Sequence, residues 1–267
     1  MARTKPTVAD LRAQKGKRQL TMLRVFTLDE AAAAEEAGID VVSVPPELVT
    51  HPDYRRVAPT LFSMTGVDHR SAGTRDDYLR FAGKMLNAGA DAIYSSASLA
   101  TVKYLADEHV PVVGHVGLVP SRATFTGGFK AVGKTAAAAV ALMNEVRAYE
   151  AAGAFAVEIE VVPPEVASAI AARVGILLWS MGAGAGCDVQ YLFSEDILGE
   201  NRGHVPRHAK VYRNFAAEYD RLQRERVAAY AEFIADVGTG AFPQAGHLVA
   251  MDSTELQKFL ATIGSLR

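Results

Sequence analysis

Glu158 and Glu160 stand two residues apart in the run FAVEIEVV (155–162), and His115 ends the run PVVGH (111–115). Carboxylates and imidazoles are the side chains that move protons near neutral pH, once burial or a neighbour has tuned them. Side chains of an extended segment alternate between faces, so Glu158 and Glu160 share one face while Val157 and Ile159 take the other. An apolar strand leading into Glu160 would bury its carboxyl and raise its pKa toward a value useful to a base. The plainer alternative is that both glutamates cap a strand end with charge and that His115 is structural.

A third run, GGFKAVGKT (127–135), fits the phosphate-loop pattern G-x-x-x-x-G-K-[ST]. That loop works where a strand runs directly into the turn and the turn into a helix. Here LVPSRATFT separates the turn from the apolar run VPVVGHVG (110–117), so the match reads as coincidence. Gly127, Gly128 and Lys130 are read either as a lid-like loop or as a surface turn.

These residues need elements to hold them. Short apolar runs recur at 20–26, 39–44, 60–65, 91–96, 110–117, 155–162, 175–181 and 195–200. Most lack polar alternation, as strands buried on both faces do. Helical patterns lie between them at 28–38, 75–89, 99–109, 136–153 and 164–175, several ending in a glycine suited to a left-handed cap: Gly38, Gly89, Gly153 and Gly175. Eight strands alternating with helices predict an α/β chain folded as a (β/α)8 barrel, with a doubly wound sheet as the alternative. From about residue 207 a long, charged helical stretch follows, suited to covering the barrel bottom or a neighbouring subunit. No linker-like segment interrupts 1–267, so a single domain with a helical extension is expected.

Composition narrows the partners. Lys plus Arg number 28 against 30 Asp plus Glu, a balance that argues against nucleic acid or an anionic membrane. The single cysteine, Cys187, fits a reducing cytoplasm and reads as a small packing residue rather than a reactive thiol. The N-terminal run has no apolar core of a signal peptide, and no stretch is long and apolar enough for a membrane span. A cytoplasmic protein acting on a small molecule is expected.

The run PVVGHVGLVPSRATFTGGFKAVGKT (111–135) resembles the ketopantoate hydroxymethyltransferase family, which carries Gly-His-(Leu/Val)-Gly-Leu-x-Pro followed by a Gly-Gly-aromatic-Lys-Val-x-Gly loop. AFAVEIEVVPPEVA (154–167), MGAGAGCDVQ (181–190) and GHVPRHAKVYRNF (203–215) are similar to three further family segments, in the same order. The resemblance spans nearly the whole chain. It implies the barrel of the phosphoenolpyruvate mutase and isocitrate lyase superfamily and ring-shaped homo-oligomers. It also implies enolate chemistry on a small 2-oxo acid, with 5,10-methylenetetrahydrofolate as one-carbon co-substrate and Mg2+ held by carboxylates. Glu160 then matches the proposed base, and His115 lies against substrate.

The ligand positions depart from the family. Val-Gly-Asp-Ser becomes Val44-Pro45-Pro46-Glu47, Ala-Asp-Leu-Pro becomes Thr65-Gly66-Val67-Asp68, and the Lys and Glu of a third strand end become Tyr94 and Ser96. Glu47 and Asp68 lie one or two positions from the lost ligands, and Asp68-His69 would suit a softer metal. Tyr94, Ser95 and Ser96 suggest a neutral, hydrogen-bonding pocket. The expected mouth lies at the carboxyl ends of the strands, lined by Pro46, Glu47, Tyr94, Ser95, Ser96, His115, Glu160, Met181 and Gly182. Two readings follow: a hydroxymethyltransferase-like enzyme, or a repurposed barrel that is a metal-independent lyase or hydrolase, or a non-catalytic binding protein.

Overall fold

The computed structural model describes residues 3–67 and 71–264. Eight parallel strands close into one barrel: β1 (Leu20–Arg24), β2 (Val41–Ser43), β3 (Phe62–Gly66), β4 (Ala92–Tyr94), β5 (Val112–Gly117), β6 (Ala156–Glu160), β7 (Leu177–Met181) and β8 (Val189–Phe193). β1 pairs with β8 and completes the circle. Seven strands coincide with the expected runs, β3 extending one residue past its run to Gly66. The eighth does not: 195–200 was expected, but Ser194–Leu198 is a short helix ended by left-handed Gly199, and the strand is the preceding Val189–Phe193. The expected run has apolar residues only at Ile197 and Leu198, whereas VQYLF alternates inward Val189 and Tyr191 with outward neighbours.

The expected helices form at Leu28–Ala37, Arg75–Asn87, Leu99–Asp107, Ala136–Ala151 and Pro164–Ala171. Gly38, Gly89 and Gly153 adopt the left-handed backbone, but Gly175 does not. Its helix has already ended at Ala171 with Ala172 as the cap, and Gly175 donates its N–H to the Glu150 carboxylate at 2.6 Å.

The pleat sorts the core into two layers. Residues such as Val42, Ile93, Val157 and Ile159 face outward and pack beneath the helices. Met22, Val41, Met64, Ala92, Val113, Ala156, Trp179 and Val189 face inward and fill the barrel. Side chains repeat every second residue along a strand. Two residues on from that plug, the inward positions are Arg24, Ser43, Gly66, Tyr94, His115, Glu158, Met181 and Tyr191. One step of the pleat thus turns an apolar plug into a largely polar ring at the carboxyl ends, where barrels place their chemistry.

The chain divides into two compact units, Met1–Asn214, which holds the barrel, and Phe215–Arg267. The second comprises the helices Phe215–Thr239 and Ser253–Gly264 joined through a turn at Ala245–His247, with Phe242 stacked edge-on against Phe233 at 5.6 Å.

Candidate active site

The ring opens into a cavity of about 520 Å³. At its centre stands His115, itself only 2% exposed. The Tyr94 hydroxyl lies 2.8 Å from His115 Nδ1, Glu160 Oε2 lies 3.1 Å from Nε2, and Glu158 Oε2 lies 3.6 Å from Nδ1. The Glu160 contact is an ion-pair approach rather than an aligned hydrogen bond, for buried Nε2 has no hydrogen-bond partner. Glu158 and Glu160 project to the same side, as their spacing requires, and both line the cavity.

The electrostatics separate the members of the cluster. Burial, reinforced by Glu160, pushes the Glu158 carboxyl up to about 7, although His115 and Arg24 pull the other way. Burial and the neighbouring Glu158 also raise the Tyr94 phenol far above its ordinary range, so it keeps its proton. The Tyr94 hydroxyl and His115 Nδ1 thus share a hydrogen bond, while Nε2 faces the cavity and Glu160.

Local backbone geometry fixes Glu160. Gly117, at the end of β5, has φ +85° and passes so close that a Cβ there would sit 2.4 Å from the Glu160 carbonyl oxygen. The same oxygen accepts the Leu118 N–H at 2.9 Å, and the next residue, Val161, donates its N–H to Met181 at 2.8 Å. Val161 itself is held at φ +49°, a genuine outlier for a β-branched residue and a strain of the kind found beside functional groups. Gly117→Ala is expected to cost on the order of 2–4 kcal/mol, from left-handed strain plus overpacking. Urea unfolding checks this; an unchanged midpoint would show that β5 and β6 are not locked at this point.

Of the expected mouth residues, Pro46, Glu47, Tyr94, His115, Glu160 and Met181 line this cavity. Gly182 lines an adjoining cavity of about 580 Å³ that shares Glu160, Met181 and Phe193 with the first. Ser95 and Ser96 line neither. Ser95 is buried on the outward parity of β4, where its hydroxyl accepts the Ala97 N–H at 3.3 Å, and Ser96 lies beside the Tyr94 side chain. The pocket is also not neutral, since Arg24, Glu47, Glu158 and Glu160 all face it. Arg24, Ser43, Tyr191 and Phe193 were missed. The period-two register of β1, β2 and β8 is the signal that places them, and for β8 it lies in Val189–Phe193 rather than in 195–200. His204 and His208, given no chemical role from sequence, line the second cavity together with Phe129 of the glycine loop. Burial raises the Cys187 thiol to about 12, which suits the packing role.

The glycine run does not join a strand. β5 ends at Gly117, and the turn Pro120–Arg122 and helix Ala123–Thr126 intervene before Gly127. Thr135, which would face the metal of a bound nucleotide, instead caps the helix Ala136–Ala151 by accepting the Ala138 N–H at 3.2 Å.

Residues 56–245 match the family model for ketopantoate hydroxymethyltransferase. The chain belongs to the ketopantoate hydroxymethyltransferase family. It is 32% identical to the 3-methyl-2-oxobutanoate hydroxymethyltransferase of Nitratidesulfovibrio vulgaris (strain DP4), over 96% of this chain and 89% of that protein. It is equally identical to the enzyme of that name from Clostridium botulinum (strain Alaska E43 / Type E3), over 95% of this chain and 99% of the relative. Among solved structures, 2,3-dimethylmalate lyase, a member of the PEP mutase/isocitrate lyase superfamily, superposes with a TM-score of 0.50 at 14% identity, covering 96% of this chain and 98% of the lyase. That likeness is one of fold. The family is one of enzymes that need a one-carbon donor.

The Mg2+ that this family implies does not fit the described residues. Pro45–Pro46, Gly66–Val67 and Ser96 stand at or beside the ligand positions, and a hard cation prefers carboxylate oxygens. Asp68 and His69 lie outside the described residues. Glu158 and Glu160 flank an imidazole rather than a shared vacancy, and among the described residues no three His, Cys, Asp or Glu side chains gather in a ligand arrangement. No helix is long and apolar enough to cross a membrane, among the described residues.

Proposed function

We propose that the chain removes the C3 proton of a small 2-oxo acid in the barrel-mouth cavity and transfers a one-carbon unit to the resulting enolate, with Glu160 as the base. The observation that carries this is the buried, unpartnered Nε2 of His115 beside the Glu160 carboxylate. A fixed N–H in a nearly dry wall is suited to a carbonyl oxygen, and its hydrogen bond strengthens as that oxygen gains charge. An imidazole oriented by Tyr94 can thus polarise the ketone while the adjacent carboxylate takes the proton. The two cavities meet at Glu160, which suits a reaction of two substrates: the 2-oxo acid on the His115 side and 5,10-methylenetetrahydrofolate on the other.

The test is product formation. With the protein present, 3-methyl-2-oxobutanoate, 5,10-methylenetetrahydrofolate and one water are expected to yield the hydroxymethylated acid, whose new hydroxyl oxygen comes from the water, and tetrahydrofolate, read by mass spectrometry. The poor fit to Mg2+ favours a second reading, a metal-independent C–C lyase that forms the same enolate from a related carboxylate. C3 proton exchange without one-carbon transfer would select that reading; neither exchange nor transfer would remove both.

The chain is also proposed to form homo-oligomers. Tyr230, Phe233, Ile234 and Val237 recur at i, i+3, i+4 and i+7 on one helix, and each is more than half exposed. A stripe of this kind resembles a face that a second copy covers. Light scattering should give a mass well above the 28.5 kDa of one chain; a monomer at working concentration contradicts the proposal.

A further inference from the structure

Arg24 is the one cation among the described residues lining the first cavity, apart from the titratable His115. It extends from the carboxyl end of β1, with its guanidinium 5.3 Å above the Phe26 ring, and donates from Nη1 to the buried Ser43 hydroxyl at 2.8 Å. No carboxylate of the described residues lies within ion-pair distance of it, although Glu47, Glu158 and Glu160 face the same space. A half-buried guanidinium braced on two sides, with no carboxylate in ion-pair contact, is suited to an anion, because its planar fork matches a carboxylate and most of its donors remain unused.

We propose that Arg24 is the carboxylate anchor of this site, and that its fixed charge takes the place of a divalent cation in binding the acid. The proposal rests on the 2-oxo acid reading above and adds to it a residue, an orientation and independence from metal. With its carboxylate on Arg24, on β1, and its carbonyl oxygen toward His115, on β5, the substrate lies across the mouth and presents C3 toward Glu160. Three acidic side chains in the same cavity would repel an anion, and Arg24 offsets them most fully when Glu158 carries its proton.

Calorimetric titration with 3-methyl-2-oxobutanoate in EDTA, repeated with excess Mg2+, tests this. Wild type is expected to bind equally well in both. Arg24→Gln should bind roughly 10- to 100-fold more weakly, the loss typical of a charge-assisted pair. Arg24→Lys keeps the charge without the fork and should fall between them; it decides the matter if Arg24→Gln does not fold. Arg24→Gln binding as tightly as wild type, or wild type binding only with Mg2+, would overturn the anchor and leave the 2-oxo acid reading standing. Wild type binding under neither condition would remove that reading and the anchor together.

Discussion

Glu160→Gln is expected to slow C3 proton removal by roughly 10²–10⁴-fold, the range for loss of a positioned general base, while binding of the 2-oxo acid stays within a few-fold of wild type. The substitution keeps the shape of the side chain and removes its basicity. Its expected severity follows from where Glu160 sits. It is the carboxylate beside Nε2 of His115, and it alone of the glutamates borders both cavities. Its backbone is clamped by Gly117, Leu118 and Met181, which holds the carboxylate in place. A variant that turns over at the wild-type rate would make Glu160 a strand-end charge and nothing more.

The second large effect concerns Glu158 and bears on both stability and binding. Arg24 on β1, Tyr94 on β4, His115 on β5, Glu160 on its own strand and Tyr191 on β8 all interact with it electrostatically. Because burial lifts this carboxyl from 4.5 to about 7, the folded chain binds its proton more tightly than the unfolded chain does. The stability it contributes is therefore fully present below pH 4.5 and is lost as pH rises through about 7. Glu158→Gln escapes that loss. The variant should be more stable than wild type by about 1 kcal/mol at pH 5 and by about 3 kcal/mol at pH 8, seen as a gap in melting temperature that widens with pH. Wild-type affinity for the anionic acid should improve as pH falls below 7, since Glu158 becomes neutral; in the variant this dependence should flatten. A melting-temperature gap that is the same at pH 5 and pH 8 would show that Glu158 does not titrate in this range.

Most of the barrel was legible because seven of its strands lie in largely apolar runs and most of its helices begin and end on recognisable residues; β8 was not. The two glutamates were legible because spacing alone puts them on one face. What sequence did not reveal was the chemistry of the ring around them. Arg24 follows LTML with nothing local to mark it; it faces the cavity only because β1 starts at Leu20, which fixes the parity of every later residue. Ser95 and Ser96 fail for the same reason in reverse. Tyr94 takes the inward position, so Ser95 must point out, and β4 has ended before Ser96. That burial raises Glu158 also depends on depth. Glu158 is the deeper by one pleat step, whereas Glu160 stands at the rim, and a one-dimensional pattern does not distinguish them.

The most direct test of the account is deuterium incorporation at C3 of 3-methyl-2-oxobutanoate, followed by proton NMR in D2O with EDTA present, for wild type and Glu160→Gln side by side. The account predicts enzyme-dependent exchange by wild type without added metal and its near-complete loss in the variant. Exchange that requires Mg2+, or that Glu160→Gln supports at the wild-type rate, would contradict it.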